Sequence, residues 1–193
     1  MPNSEVIAAV SETLRVVLQT AMEGHVAVVV KLHDFQLDAP TAPTLTIFLF
    51  EVGEDPSARN RPHIRETEPP NMKIRKPPMA LLLRYLLTSW GGDAVTQQKI
   101  LGRAMQTLYD KAILSGPDLQ GGDMVLKNTD EALKVTLSPM TLEEHTRVWN
   151  AVQKPYRLSV SYEVRVVNLD SEDPKDLRPV TRRTLDSEEL ETR

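Results

Sequence analysis

The sequence predicts an α/β fold: one domain whose mixed four- to five-stranded sheet is packed by two main helices. Three observations predict it. Two segments carry apolar residues at helical spacing, several short runs are rich in β-branched and aromatic residues, and the links between these runs are too varied for repeated βαβ units. The chain has 193 residues, 40% apolar and 26% charged, which suits one packed domain of ordinary size.

The first helix follows Asn3 and Ser4, either of which can cap it by accepting a hydrogen bond from the free amides of the first turn. Ile7, Val10, Leu14, Val17, Leu18 and Ala21 then form one apolar stripe, and Gly24 is placed to end it. Strands are expected over 26–32 and 44–52. In the second, Leu45, Ile47 and Leu49 alternate with Thr46, Phe48 and Phe50, so both faces are apolar and the strand is internal to its sheet. Residues 80–87 read as a central strand. Trp90-Gly91-Gly92 turns the chain, and Asp93 can cap a second helix bearing Ile100, Leu101, Ala104, Met105 and Leu108. Gly102 inside that helix costs roughly 1 kcal/mol relative to alanine, which a close packing contact would explain. The helix is expected to give way near Ser115-Gly116-Pro117. Leu133, Val135 and Leu137 alternate with polar residues as a half-buried strand. Thr141 and Glu144 form a capping box for a short helix that runs to about Val152 and ends at Pro155. From Tyr156 to Val167 the period is two, with Tyr156, Leu158, Val160, Tyr162, Val164 and Val166 on one face.

Two segments fit no regular element. Residues 53–78 hold Pro56, Pro62, Pro69, Pro70, Pro77 and Pro78, and proline removes an amide donor and fixes φ. A long, irregular loop is expected there, and a loop of that length in a compact domain is usually functional or disordered. From about Asp170 the chain turns polar and charged, with Pro174 and Pro179, and a mobile tail is expected. The expected division is therefore a domain over 1–168 and a tail over 169–193.

The chemistry of many enzyme classes is missing. The chain has no cysteine, so disulfides, thiolate metal sites and cysteine nucleophiles are excluded. No G-x-S-x-G elbow occurs, and Ser115 sits in a turn after a helix. The pairs Gly91-Gly92 and Gly121-Gly122 lack the spacing of phosphate-binding loops, and no cofactor motif is present. His25, His33, His63 and His145 are widely separated and form no metal-binding spacing. Glu143 and Glu144 lie in the first turn of a helix, where the dipole favours negative charge. The reading is a non-enzyme without cofactor or metal. A formal charge of −4 argues against gripping nucleic acid. No apolar run approaches the roughly 20 residues that span a bilayer, and Met1-Pro2-Asn3-Ser4-Glu5 lacks the basic start of a signal peptide, so folding in the cytoplasm is expected.

The candidate functional residues are basic. Arg59, Arg61, Arg65, Lys73, Arg75 and Lys76 outnumber Glu66 and Glu68 in the proline-rich segment. Three uses are open: a solvated loop, a dock for an acidic protein surface, or a contact with nucleic acid. The last lacks interleaved aromatic rings for base stacking. Arg84, on an apolar strand, needs a carboxylate or carbonyl partner if buried. That partner is either local or across a subunit boundary.

Several stretches resemble the cap-protein N-terminal domain of extracellular contractile injection systems of the antifeeding-prophage type. Ile7-Ala8-Ala9-Val10-Ser11-Glu12-Thr13-Leu14-Arg15 is similar to that family's start. Leu45 to Val52, leading into Asp55-Pro56-Ser57-Ala58-Arg59-Asn60-Arg61, resembles its strand and N-x-R loop. Pro78-Met79-Ala80-Leu81 through Thr88 resembles its central strand. Leu101-Gly102-Arg103-Ala104-Met105-Gln106-Thr107-Leu108 through Gly116 carries the strongest likeness. Residues 155–166 resemble the closing strand. The resemblance implies a tail-terminator-like fold, a homohexameric ring, and contact with the last inner-tube and sheath rings of a phage-tail-like particle. Some members carry a further C-terminal domain, whereas only the charged tail is expected here. That tail either does nothing or reaches a neighbouring subunit or the sheath.

Overall fold

A computed structural model describes residues 4–24, 27–34, 40–68, 71–122, 125–127, 129–170 and 175–177. The chain forms two units: a larger one of Met1–Asn60 with Pro78–Asp170, and a smaller one of Arg61–Pro77 with Ser171–Arg193.

In the larger unit, helix α1 (Val6–Met22) is followed by strands β1 (Val29–Leu32) and β2 (Thr44–Glu54). In chain order β3 (Ile64–Glu68) and β4 (Asn71–Arg75) come next and belong to the smaller unit. The larger unit resumes with β5 (Met79–Trp90), α2 (Ala94–Asp110), β6 (Ile113–Ser115), β7 (Ala132–Leu137), α3 (Leu142–Ala151) and β8 (Ser159–Leu169). Its six strands form one sheet in the order β1-β2-β5-β8-β7-β6. The sheet is mixed, since β1 runs parallel to β2 and every other pairing is antiparallel. The expected strand count of four to five is thus too low. The missed strand, β6, has only three residues, too few to show a period of two. Helix α2 ends at Asp110, earlier than the Ser115 turn suggested.

Burial sorts the strand residues by parity. Leu45 and Ile47 of β2, Leu83, Tyr85 and Leu87 of β5, and Val164 of β8 join Leu14, Leu18, Ile100 and Leu108 in the main core. The opposite parity, with Phe48, Phe50, Leu86 and Trp90, meets Trp149, Val148 and Val152 of α3. Helices α1 and α2 therefore cover one face of the sheet and α3 covers part of the other. The β5–β8 register steps from Leu81↔Val167 to Leu83↔Val164, leaving two residues of β8 opposite one of β5. This bulge advances the core position, so Val167 is fully buried where simple alternation selects Val166.

Caps follow the sequence unevenly. Asp93 accepts from the Thr96 amide, and both halves of the Thr141–Glu144 capping box form. At α1, however, Glu5 stands at the N-cap without a side-chain cap bond, so Ser4 does not cap. Asn3 lies outside the described residues. Gly24 follows the end of α1 with φ +82, the left-handed geometry glycine tolerates. Gly91 turns the chain after β5 with φ +70, and a Cβ there would come 2.3 Å from the Ala42 backbone. Gly102 faces open space, which overturns the packing explanation, and nothing in the structure explains the glycine.

The smaller unit corrects the expected loop. β3 and β4 pair antiparallel from Ile64↔Arg75 to Glu68↔Asn71, and β9 (Lys175–Leu177) adds to β4. The prolines bracket these strands instead of interrupting them. Pro62 precedes β3, Pro69 and Pro70 fall between β3 and β4 in sequence, Pro77 follows β4, and Pro56 opens a short 3-10 turn over Pro56–Ala58. No ladder bond inside β3 or β4 has to come from a proline. Of the expected mobile tail, Lys175–Leu177 form β9 and Asp170 is described. The rest of 170–193 lies outside the described residues.

Candidate interface surfaces

The predicted basic residues fall in both units. Arg59 belongs to the larger unit, where its Nε donates to Glu54 Oε2 at 3.0 Å. Asp55 holds the preceding turn by accepting from the amide and hydroxyl of Ser57. Arg61 and Lys76 stand before β3 and after β4, both exposed. Within the strands, Arg65 is in register with Ile74, Arg75 with Ile64, and Lys73 with Glu66 on one side and Asp176 of β9 on the other. That register was not visible in the sequence, because it depends on how the strands pair.

Arg84 sits in the middle of the large sheet, in register with Glu51 of β2 and Glu163 of β8. Its Nη1 donates to Glu51 Oε2 at 2.8 Å, while its Nε is buried with no hydrogen-bond partner among the described residues. Arg165 Nε donates to Glu163 Oε1 at 2.9 Å. The partner of Arg84 is thus local. Glu51, Arg84, Glu163 and Arg165 make a charged row on the face that α3 shares.

Under α3 that face is aromatic. Trp90 Nε1 donates to Thr46 Oγ1 at 2.7 Å, and the same hydroxyl donates to Thr88 O. Trp149 Nε1 donates to Ser159 Oγ, which donates to Arg157 O. Each indole therefore has its N–H satisfied through a hydroxyl while its ring is buried. The Arg157 guanidinium lies 4.4 Å from the Trp90 ring centre, a cation–π contact, and His33 stacks on the same ring.

One cleft of about 390 Å³ collects polar groups: Ser11, His33, Asp34 and Tyr85 among Leu32, Ile47, Phe48 and Leu49. Ser11 Oγ is committed to Ile7 O and to the Tyr85 hydroxyl, 2.9 Å away. Burial pushes the Tyr85 phenol well above its usual range and pulls His33 below its own. The Ser11–Tyr85 bond joins α1 to β5. A nucleophile would instead have its hydroxyl engaged by a base.

Other weighed residues have structural uses. Ser115 ends β6 opposite Ala132. Glu143 pairs with Arg147 at 2.7 Å, and Glu144 closes the capping box. Burial lowers the pKa of His145, His63 is exposed, and His25 lies outside the described residues. Among the described residues no group of three His, Cys, Asp or Glu side chains is placed to hold a metal ion, and no helix is long and apolar enough to cross a membrane.

The fold that carries these surfaces is a mixed six-stranded sheet with two helices on one face and one on the other. Two solved structures have a similar fold. One is the sheath/tube terminator of an extracellular contractile injection system, PVC, in its extended state, with TM-score 0.64, 17% identity, 94% of this chain and 63% of that one covered. The other is the tube-terminating cap of the anti-feeding prophage, with TM-score 0.59, 17% identity, 97% of this chain and 62% of that one. This chain spans less than two thirds of either. No curated protein matches. Residues 9–183 match the family described as the Pvc16 N-terminal domain, and the chain belongs to that family.

Proposed function

We propose that this chain is a structural cap subunit that forms a homohexameric ring closing the inner tube and sheath of a phage-tail-like contractile injection particle. The family match over residues 9–183 carries the proposal, and the fold shared with two terminators supports it. Such a protein acts through surfaces of adequate area and complementarity, so it performs no catalysis and needs no cofactor. A ring closes when one edge of a subunit fits a different edge of its neighbour. Growth stops when the ring matches the tube's last layer on one side and offers no copy of it on the other. The ring assembles in the cytoplasm and leaves the cell as part of the particle.

Within this proposal the basic hairpin, with Arg61, Arg65, Lys73, Arg75 and Lys76, docks on the tube or sheath, and Arg59 of the larger unit makes a contact of the same kind. Arg84, on the charged row of the larger unit, is assigned to a subunit contact of its own. Reversing the charges of Arg59, Arg61 and Arg75 is expected to leave folding unchanged and weaken attachment to tube ends in a co-sedimentation assay. Wild-type attachment by that variant removes the basic residues from the interface.

The experiment for the proposal as a whole is the solution mass of the purified chain, alone and with its cognate tube protein, alongside images of particle ends made without the chain. A ring-sized mass and open, uneven tube ends are expected. A monomer under both conditions, with normal particle ends in its absence, rejects it.

A further inference from the structure

We infer that the C-terminal segment is a functional part of the docking unit: strand β9 holds the β3–β4 hairpin in shape, so attachment to the particle depends on β9 while ring formation does not. This inference rests on the reading of the basic hairpin as the dock, and it gives the start of the tail a use inside its own subunit.

The hairpin has little to hold it on its own. A two-stranded ribbon is marginally stable at best in water and needs a third strand or a packed face. Among the described residues, neither apolar core includes any position from 61 to 77, and Ile64 at the start of β3 is 45% exposed. The sequence between Glu68 and Asn71 is Pro69-Pro70. Two-residue hairpin turns favour Asn-Gly or Asp-Gly because they need positive φ, which the proline ring does not allow. Pro-Pro is therefore not a sequence that closes a hairpin by itself.

β9 supplies the third strand. Lys175, Asp176 and Leu177 run antiparallel along Ile74, Lys73 and Met72, and β3 takes the other edge of β4. β4 thereby becomes the central strand of its sheet. The sequence marks the three strands alike. Pro62 and Pro69 stand outside β3, Pro70 and Pro77 outside β4, and Pro174 and Pro179 outside β9. A proline cannot donate to a ladder, so each strand is confined to the stretch that pairs.

The larger unit does not use β9. Its six strands pair only among themselves, and the last residue packed on either of its cores is Leu169. Losing β9 therefore removes pairing from the small sheet alone.

The experiment uses the full-length chain carrying Asp176→Pro with Leu177→Pro. Backbone amides of successive strand residues point to opposite edges, so one of the two prolines removes the amide aimed at β4. A control carries Thr184→Pro with Leu185→Pro, past β9. In the β9 variant, hydrogen exchange at Ile64–Glu68 and Asn71–Arg75 is expected to accelerate about tenfold or more, with α1, β5 and β8 unchanged. Its native mass, alone and with the cognate tube protein, is expected to match wild type, while its affinity for tube ends in co-sedimentation falls about tenfold. The control is expected to behave as wild type throughout. Unchanged exchange over 64–75 overturns the role of β9. Loss of attachment by the control moves that role past β9 and overturns it equally. Faster exchange over 64–75 with wild-type attachment keeps β9 as the third strand and removes the hairpin from the dock, which is the failure of the earlier reading. Lost protection in β5 and β8 overturns the independence of the larger unit. A second measurement needs no destabilised variant, because the chain has no cysteine. Lys73→Cys with Asp176→Cys, and separately Met72→Cys with Leu177→Cys, place thiols at positions in register, covering both kinds of antiparallel pair. Oxidation is expected to close an internal disulfide in at least one of the two and to slow exchange over 64–75. Covalent oligomers instead would mean that β9 pairs with another copy, and no disulfide from either pair that it does not seat on β4. Either result overturns the inference.

Discussion

On the α1/α2 face of the large sheet, burial is continuous: Leu14, Leu83, Tyr85 and Val164 are all at or below 1% exposed. On the α3 face it is divided. Trp149 and Leu86 are fully buried there, but a short way along the same strands Glu51, Arg84 and Glu163 stand in register. Both faces come from the same strands, so the difference lies in what the alternate residues are asked to do. The first face supplies the apolar burial that drives folding. The second fixes one short helix with a few large rings and leaves a polar strip on the sheet. One face is thus sealed completely, while part of the other stays open to solvent.

The sharpest way to break this comparison is to cut each face at its largest anchor. Trp149→Ala is expected to cost about 3–5 kcal/mol, and Leu83→Ala about 2–5 kcal/mol, by the usual cost of emptying a core site. Their signatures should differ more than their sizes. The Trp149 variant should lose amide protection chiefly in α3, while the Leu83 variant loses it throughout α1, β2 and β5. Urea unfolding gives the magnitudes and hydrogen exchange the distribution. Loss of protection in α1 on replacing Trp149 would mean that the two faces fold as one unit and that the division described above is only geometric.

The charged row comes next. Side-chain exposure is 37% for Arg84 and 52% for Glu51, and exposed pairs contribute at most about 1 kcal/mol. Arg84→Met keeps the stem that lies along the sheet and removes the charge. A stability change under about 1 kcal/mol is expected, with weaker subunit association if the row serves that contact. A loss above about 3 kcal/mol would instead mark a buried ion pair, and the strip would then belong to the core.

How much of this was legible beforehand depended on whether a signal was local. The capping box at Thr141, the cap at Asp93 and the two-sided β2 were legible because period and cap chemistry act within a few residues. The hairpin over 64–75 was not, because its prolines dominate the composition while standing at strand ends. β6 was too short to carry a period. The β8 bulge depends on the register with β5, which no single strand specifies. The basic excess over 59–76 was legible, but the pairings of its residues were not. Lys73 meets Glu66 and Asp176 in register, and Arg84 meets Glu51, only through pairings across the sheets.

The smallest expected effect sharpens the α3 face alone. The Glu144 carboxylate accepts from the Thr141 amide at 2.7 Å and from its hydroxyl at 2.9 Å, and the backbone bond is the main reason its pKa lies below the ordinary glutamate value. A group whose folded pKa is lowered contributes stability that is present above its unfolded pKa and lost as pH falls through the folded one. Glu144→Gln retains a carbonyl acceptor for the box but cannot titrate, and it removes a negative charge from the helix start, where the dipole favours one. The difference in unfolding midpoint, wild type minus variant, should therefore be positive at neutral pH and shrink on acidification below the ordinary glutamate range. Other carboxylates titrate in the same window, but they do so in both proteins and cancel in the difference. A difference that grows on acidification would mean that the carboxylate does not stabilise the start of α3. The helix would then rest on the Thr141 hydroxyl cap and on the packing of Val148, Trp149 and Val152.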